Sequence, residues 1–163
     1  MIEVGTPVPE VDVYDGKGAA PLPVFFSGPT LLVFFRSDCR RCEGALGLAA
    51  GIGRVARGLT VIGVSQETIE DTAEFLGGIN VRMPVVIDDR PFPASRAFEI
   101  DVVPSVVLIE DDRVSWTSDG FSADDVEKLA ILLVPWTRDT PIGMHPDYLD
   151  AAGSESKSRP TGL

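Results

Sequence analysis

The chain contains two cysteines, Cys39 and Cys42, separated by Arg40 and Arg41. Two thiols at this spacing can form a local disulfide, and a thiolate at the first position can attack the disulfide of another molecule. The second thiol can then resolve the mixed disulfide. The pair therefore predicts thiol–disulfide exchange, with Cys39 as the nucleophile and Cys42 as the resolving cysteine.

Charged residues beside the two cysteines should tune their chemistry. Arg40 and Arg41 place two permanent cations next to Cys39, which should lower the pKa of its thiol and favour the reduced state. Asp38 carries a negative charge and acts in the opposite sense. We expect a couple that is more oxidising than one with a neutral dipeptide between the cysteines, to an extent set by the balance of these charges.

The cysteine pair has three other conceivable roles: metal binding, a structural disulfide, or two unreactive thiols. Zinc needs about four ligands, and the chain has a single histidine, His145, near its carboxyl end. We therefore predict no metal and no cofactor. A purely structural disulfide would close a loop too short to restrict the unfolded chain much. Two buried, unreactive thiols remain an alternative, which the position of the motif disfavours.

Strand and helix patterns alternate around the motif. The continuously apolar run 31–35 predicts a strand buried on both faces, and apolar residues at helical spacing over 45–55 predict a helix. The cysteines thus precede a helix, where free amides and the helix dipole stabilise a thiolate. A strand at 59–64 and a helix at 69–76 follow, which indicates a parallel core.

The second half of the chain predicts smaller elements. These are a strand at 85–87, a short helix within 91–98, a hairpin of strands 105–109 and 113–117, and a helix after the capping box of Ser122 and Asp125. We expect one domain over residues 1–135 and a flexible extension over 136–163, rich in Pro, Gly, Ser and Asp. No role is predicted for Trp136 or His145.

Composition limits the partners of the protein. Fourteen basic against twenty-five acidic residues give a net charge of -11 over 163 residues, which repels nucleic acid and anionic membranes. Residues 1–5 lack a leader pattern, and no segment is apolar enough to span a membrane. We expect a cytoplasmic monomer or weak dimer without nucleic-acid or membrane partners. An exported form that had lost its leader would show the same amino terminus and stays open.

Taken together, the motifs resemble those of redoxins, thioredoxin-like proteins of the TlpA and alkyl hydroperoxide reductase class. The resemblance covers about residues 3–133 and rests on five segments: 5–9 with Asp15-Gly16, the strand leading to Cys39-x-x-Cys42, 63–65, 84–88 and Val103-Pro104-Ser105. It implies an α/β, thioredoxin-like, three-layer fold with a central mixed sheet flanked by helices. It also implies protein or small-molecule disulfides and thiols as substrates, with an unidentified reductant.

In that family the proline at the position of Pro104 is cis and faces the cysteines. The backbone beside it, here Val103, binds an extended substrate segment. The chain also departs from the family, which commonly has Trp where Asp38 stands and often Pro where Arg41 stands. Thioredoxin carries a buried acid at the position of Val33. A specialised redoxin is therefore expected rather than a general thioredoxin.

Two alternative functions stay open on the same fold. A thiol peroxidase would have Thr or Ser three residues before its peroxidatic cysteine, whereas Arg36 precedes Cys39 at that spacing. A non-catalytic redox sensor or binding module would account for the missing Trp and acid. The glycine pattern over 51–56 matches a dinucleotide fingerprint but follows a helix instead of a strand, so we set it aside.

Overall fold

A mixed sheet of seven strands forms the centre of the protein in the computed structural model, which describes residues 1–138 and 156–157. The strands in chain order are β1 Asp12–Tyr14, β2 Ala19–Pro21, β3 Thr30–Phe35, β4 Thr60–Ser65, β5 Val85–Ile87, β6 Val102–Val103, β7 Ser105–Glu110, β8 Arg113–Asp119 and β9 Ser156–Lys157. The sheet order is β2-β1-β5-β4-β3-β7-β8, and β6 pairs separately with β9.

Strand β3 lies inside the sheet because all six of its residues are buried. It runs parallel to β4 and antiparallel to β7. Phe35, its last residue, lies opposite Ser65, the last residue of β4, so the carboxyl ends of these strands meet at one edge. The prediction of a central, doubly buried strand is confirmed, and the cysteine motif follows directly from that edge.

Five α-helices accompany the strands within the described residues. They are α1 Arg40–Val55, α2 Ile69–Gly78, α3 Pro93–Ala97, α4 Ala123–Leu132 and α5 Val134–Thr137. Helix α1 packs against β3 and β4, and α4 begins at the predicted capping box of Ser122 and Asp125. The mixed sheet flanked by helices confirms the expected fold class.

The amino-terminal elements were not predicted. Strands β1 and β2 pair antiparallel around a turn in which Asp15 accepts hydrogen bonds from the amides of Lys17 and Gly18. A 3-10 helix, Leu22–Phe25, follows. Each strand has only three residues, which is too short for an alternating pattern to stand out in the sequence.

Helix α5 begins at Val134 and so spans the predicted domain boundary at residue 135. Helix α5 continues to Thr137, and the half-buried Trp136 packs on the core while its carbonyl oxygen accepts a hydrogen bond from the amide of Arg57. Most of the extension predicted to be flexible, including His145, lies outside the described residues. Across the part of the chain that is described, no helix is long and apolar enough to cross a membrane.

Candidate active site

Cys39 and Cys42 form a disulfide at the amino terminus of α1. Cys39 is the N-cap residue, with extended backbone, and its Sγ atom accepts a hydrogen bond of 3.1 Å from the amide of Cys42. The amide of Cys42 therefore points at the sulfur that must carry negative charge after reduction. A helix amino terminus stabilises such a charge because its first amides have no partner within the helix.

Both sulfur-bearing residues are buried in this disulfide form. Cys39 is 1% exposed and Cys42 is fully buried. The nucleophilic sulfur is therefore covered in this state of the molecule. The Sγ atom of Cys39 lies 3.6 Å from the carbonyl oxygen of Val103, and the peptide bond between Val103 and Pro104 is cis, as the resemblance implied.

The two arginines between the cysteines occupy different environments. Arg40 is exposed, whereas Arg41 is 1% exposed, and its Nη2 atom donates a hydrogen bond of 2.9 Å to the carbonyl oxygen of Phe121. Asp38 is exposed and forms an ion pair with Arg36. The pattern of charges could not show this difference, because both arginines lie in the first turn of α1.

Glu67 is a carboxylate near the motif that the sequence analysis missed. It is 8% exposed, and its Oε1 atom accepts a hydrogen bond of 3.1 Å from the hydroxyl of Ser37. The position of Val33, where thioredoxin has its acid, is buried in the sheet. Glu67 follows β4 as Ser37 follows β3, and the ends of parallel neighbouring strands meet. The position of Glu67 directly after a predicted strand was therefore the sequence signal that could have identified it.

A hydrogen-bond network lies beyond Glu67 along the same sheet edge. Gln66 donates from Nε2 to the hydroxyl of Ser95, and the carboxylate of Asp88 accepts from the amides of Ala94 and Ser95. Burial raises the pKa of Asp88 above its usual value, although the hydrogen bonds from Ser95 and Ala94 oppose the shift. The carboxylate of Asp88 therefore holds the start of α3.

Within residues 1–138, no group of three or more His, Cys, Asp and Glu side chains could hold a metal ion. The arrangement at Cys39 and Cys42 has the parts that thiol chemistry needs. These are a dithiol that can close, an amide directed at one sulfur, and a backbone segment at Val103 in contact with it.

Comparisons with solved structures returned thioredoxin-like folds. The putative thiol:disulfide interchange protein DsbE from Chlorobium tepidum is 20% identical, with a TM-score of 0.72 over 83% of this chain and 98% of its own. The thioredoxin domain of a thiol-disulfide oxidoreductase from Bacteroides vulgatus is 17% identical, with a TM-score of 0.65 over 82% and 99%. No protein-family profile and no curated protein matches the chain.

The predicted cytoplasmic location is wrong. Similar structures include a secreted Mycobacterium tuberculosis disulfide oxidoreductase, 13% identical, with a TM-score of 0.59 over 68% of this chain and 83% of its own. Together with the DsbE, DsbF and StoA structures it points away from the cytoplasm. The prediction rested on residues 1–5, and the first residues of a sequence do not by themselves record its compartment, because leaders are removed from exported proteins.

Proposed function

We propose that this chain, which has the thioredoxin-like fold, is a thiol–disulfide oxidoreductase with Cys39 as its nucleophile and Cys42 as its resolving cysteine. The observation that carries the proposal is the hydrogen bond from the amide of Cys42 to Cys39 Sγ at the start of α1. The same contact would hold a thiolate on Cys39 after the disulfide is reduced. A thiolate is the reactive form in disulfide exchange.

The reaction proceeds in two exchanges. The Cys39 thiolate attacks one sulfur of a substrate disulfide, whose S–S bond breaks as the bond to Cys39 forms, and the released substrate thiolate takes a proton from water. The Cys42 thiolate then attacks Cys39 Sγ, which releases the second substrate sulfur as a thiolate that is also protonated. Two electrons have moved to the substrate, and the Cys39–Cys42 disulfide remains. A reduced dithiol restores the pair, and the reverse sequence oxidises a substrate dithiol.

Supporting residues take distinct parts in this proposal. Val103, whose carbonyl oxygen touches Cys39 Sγ, and Pro104 form the face on which an extended substrate segment lies. Between the two cysteines in the chain, Arg41 supplies a buried positive charge and Arg40 an exposed one. The charge of Asp38 is balanced locally by Arg36, which weakens its opposition to the arginines. The substrates are disulfides or dithiols of proteins or small molecules.

Reduction of insulin disulfides with dithiothreitol as the electron donor tests the proposal. We expect the wild-type protein to accelerate the reaction at least about tenfold over dithiothreitol alone, and Cys39→Ser and Cys42→Ser each to abolish the acceleration. The two variants form a matched pair for trapping. Reduced Cys42→Ser should accumulate a mixed disulfide through Cys39, because the resolving thiol is absent, whereas Cys39→Ser should not.

A second assay separates exchange from peroxidase chemistry. The reduced wild-type protein and Cys39→Ser are mixed with hydrogen peroxide, and peroxide consumption is followed. We expect slow consumption that differs little between the two proteins. Fast, Cys39-dependent consumption without insulin reduction would replace the proposal with a thiol peroxidase. Acceleration of insulin reduction that persists in Cys39→Ser would remove Cys39 from its role.

A further inference from the structure

Strand β6 is paired with a distant part of the chain rather than with the central sheet. Val102 lies opposite Lys157 and Val103 lies opposite Ser156, in an antiparallel two-stranded sheet. The strand ends at the cis peptide bond to Pro104, after which β7 enters the seven-stranded sheet. The edge of β6 is thus a surface that accepts an extended segment, and residues 156–157 are its occupant.

This surface adjoins the reactive sulfur. The carbonyl oxygen of Val103 lies 3.6 Å from Cys39 Sγ, and neighbouring strands are about 4.8 Å apart. A segment paired with Val103 therefore lies next to the disulfide. Cys39 is 1% exposed although Ser37, Asp38 and Arg40 around it are exposed. An attacking thiol needs a clear approach to the sulfur, so the covered disulfide is protected in this arrangement.

We propose that β9 is an internal competitor, a segment of the chain that occupies the β6 edge and shields the disulfide until an extended cysteine-containing peptide displaces it. The choice of a cysteine-containing peptide as the displacing molecule rests on the proposed function, because it assumes thiol–disulfide exchange at Cys39. Only protein molecules in which β9 has left the β6 edge react. The observed rate of exchange at Cys39 is therefore the rate for the open form multiplied by the fraction of molecules that are open. The β9 segment also confers selectivity, because a partner that can pair with β6 makes the backbone hydrogen bonds that β9 gives up.

Two prolines in β9 test the competition in the full-length protein. Hydrogen-bonded and non-hydrogen-bonded pairs alternate along an antiparallel ladder, so one of the amides of Ser156 and Lys157 is directed at β6. The double variant Ser156→Pro/Lys157→Pro removes that donor in either register. The control, Ala151→Pro/Ala152→Pro, adds the same number of prolines to the same segment outside β9.

The first measurement is the rate at which reduced glutathione, a cysteinyl peptide, reduces the Cys39–Cys42 disulfide. We expect the β9 variant to react about tenfold faster than wild type, equivalent to about 1.4 kcal/mol, and the control variant to match wild type. Loss of the lysine charge works against this result, because glutathione is an anion. Equal rates in wild type and the β9 variant would overturn the proposal.

The second measurement is hydrogen–deuterium exchange of the segment around Val102 and Val103 in the oxidised proteins. We expect about tenfold faster exchange there in the β9 variant, and no change in the control. Unchanged exchange would show that β9 does not cover the edge and would also overturn the proposal. Neither measurement uses turnover of a substrate, so a failure to reduce insulin would contradict the proposed function and leave this test intact.

Discussion

The amide of Cys42 donates a hydrogen bond to Cys39 Sγ, and this single contact would stabilise the thiolate on which the exchange chemistry depends. The cysteine pair and its place before a helix could be predicted from the sequence, because spacing and apolar pattern are local properties. The burial of Arg41 and the approach of Glu67 to Ser37 could not. Both depend on contacts between residues far apart in the chain, which no local pattern records.

Arg41 and Arg40 provide a matched pair for testing the influence of buried charge. A cation in a low-dielectric interior stabilises a nearby thiolate more than a solvated cation does. We expect Arg41→Met to lower the reduction potential of the pair by about 30 mV, a tenfold change in the equilibrium constant. Arg40→Met should shift it by less than about 10 mV. Equilibration with glutathione redox buffers measures both, and a larger shift in Arg40→Met would contradict the assignment.

At the scale of elements, the carboxyl ends of β3, β4 and β5 supply the motif and its supporting network. Ser37 follows β3, Gln66 and Glu67 follow β4, and Asp88 follows β5. The long buried strands and α1 could be predicted because their apolar patterns are strong. Strands β1 and β2 and the pairing of β6 could not, since two or three residues carry too little pattern.

Gly63 in β4 should tolerate no side chain. A Cβ atom there would lie 2.9 Å from Cε1 of Phe35 and 3.3 Å from Cγ2 of Val85, and Phe35 is fully buried and cannot move aside. We expect Gly63→Ala to lower the free energy of unfolding by about 1–3 kcal/mol. Urea denaturation followed by circular dichroism gives this value.

Gly53 in α1 is the matched control for Gly63. A Cβ atom at Gly53 would make an ordinary contact of 3.7 Å with Val61, and alanine favours a helix over glycine. We expect Gly53→Ala to raise the free energy of unfolding by about 0.5–1 kcal/mol. Equal effects of the two substitutions would show that the close approach of Phe35 does not restrict Gly63.

The buried carboxyl of Asp88 should make stability depend on pH. Its pKa in the folded protein is raised by burial, so the folded state binds its proton more tightly than the unfolded state. Stability from this group is therefore present below the unfolded value and is lost as pH rises through the folded pKa. We expect the stability of wild type relative to Asp88→Asn to fall as the pH rises above the ordinary carboxyl value of 3.8.

Thermal or urea unfolding of both proteins at several pH values measures this difference, in which the contributions of all shared groups cancel. Asp89→Asn, at the neighbouring exposed position, serves as the control and should show only a weaker trend, because the charge of Asp89 is a minor cause of the raised pKa of Asp88. A difference between wild type and Asp88→Asn that grows with pH would mean that the hydrogen bonds from Ala94 and Ser95 outweigh burial.

For the whole molecule, the class of fold followed from the alternation of patterns and from the family resemblance, whereas the order of the strands in the sheet was not predicted. The predicted cytoplasmic location was wrong, because it rested on the absence of a leader pattern, which does not record the compartment of a protein. The contact between β9 and β6 joins residues more than fifty positions apart. Its sequence looks like a polar tail, and only the fold brings it beside Val103.

The reduction potential of the Cys39–Cys42 couple tests the central claim most directly. The wild-type protein is equilibrated in redox buffers of graded potential, and the thiols are counted after alkylation. We predict one reversible two-electron transition between about −120 and −270 mV, the range of exchange enzymes. A pair that stays in one state throughout, or a disulfide reduced only below about −300 mV as structural disulfides are, would contradict the account.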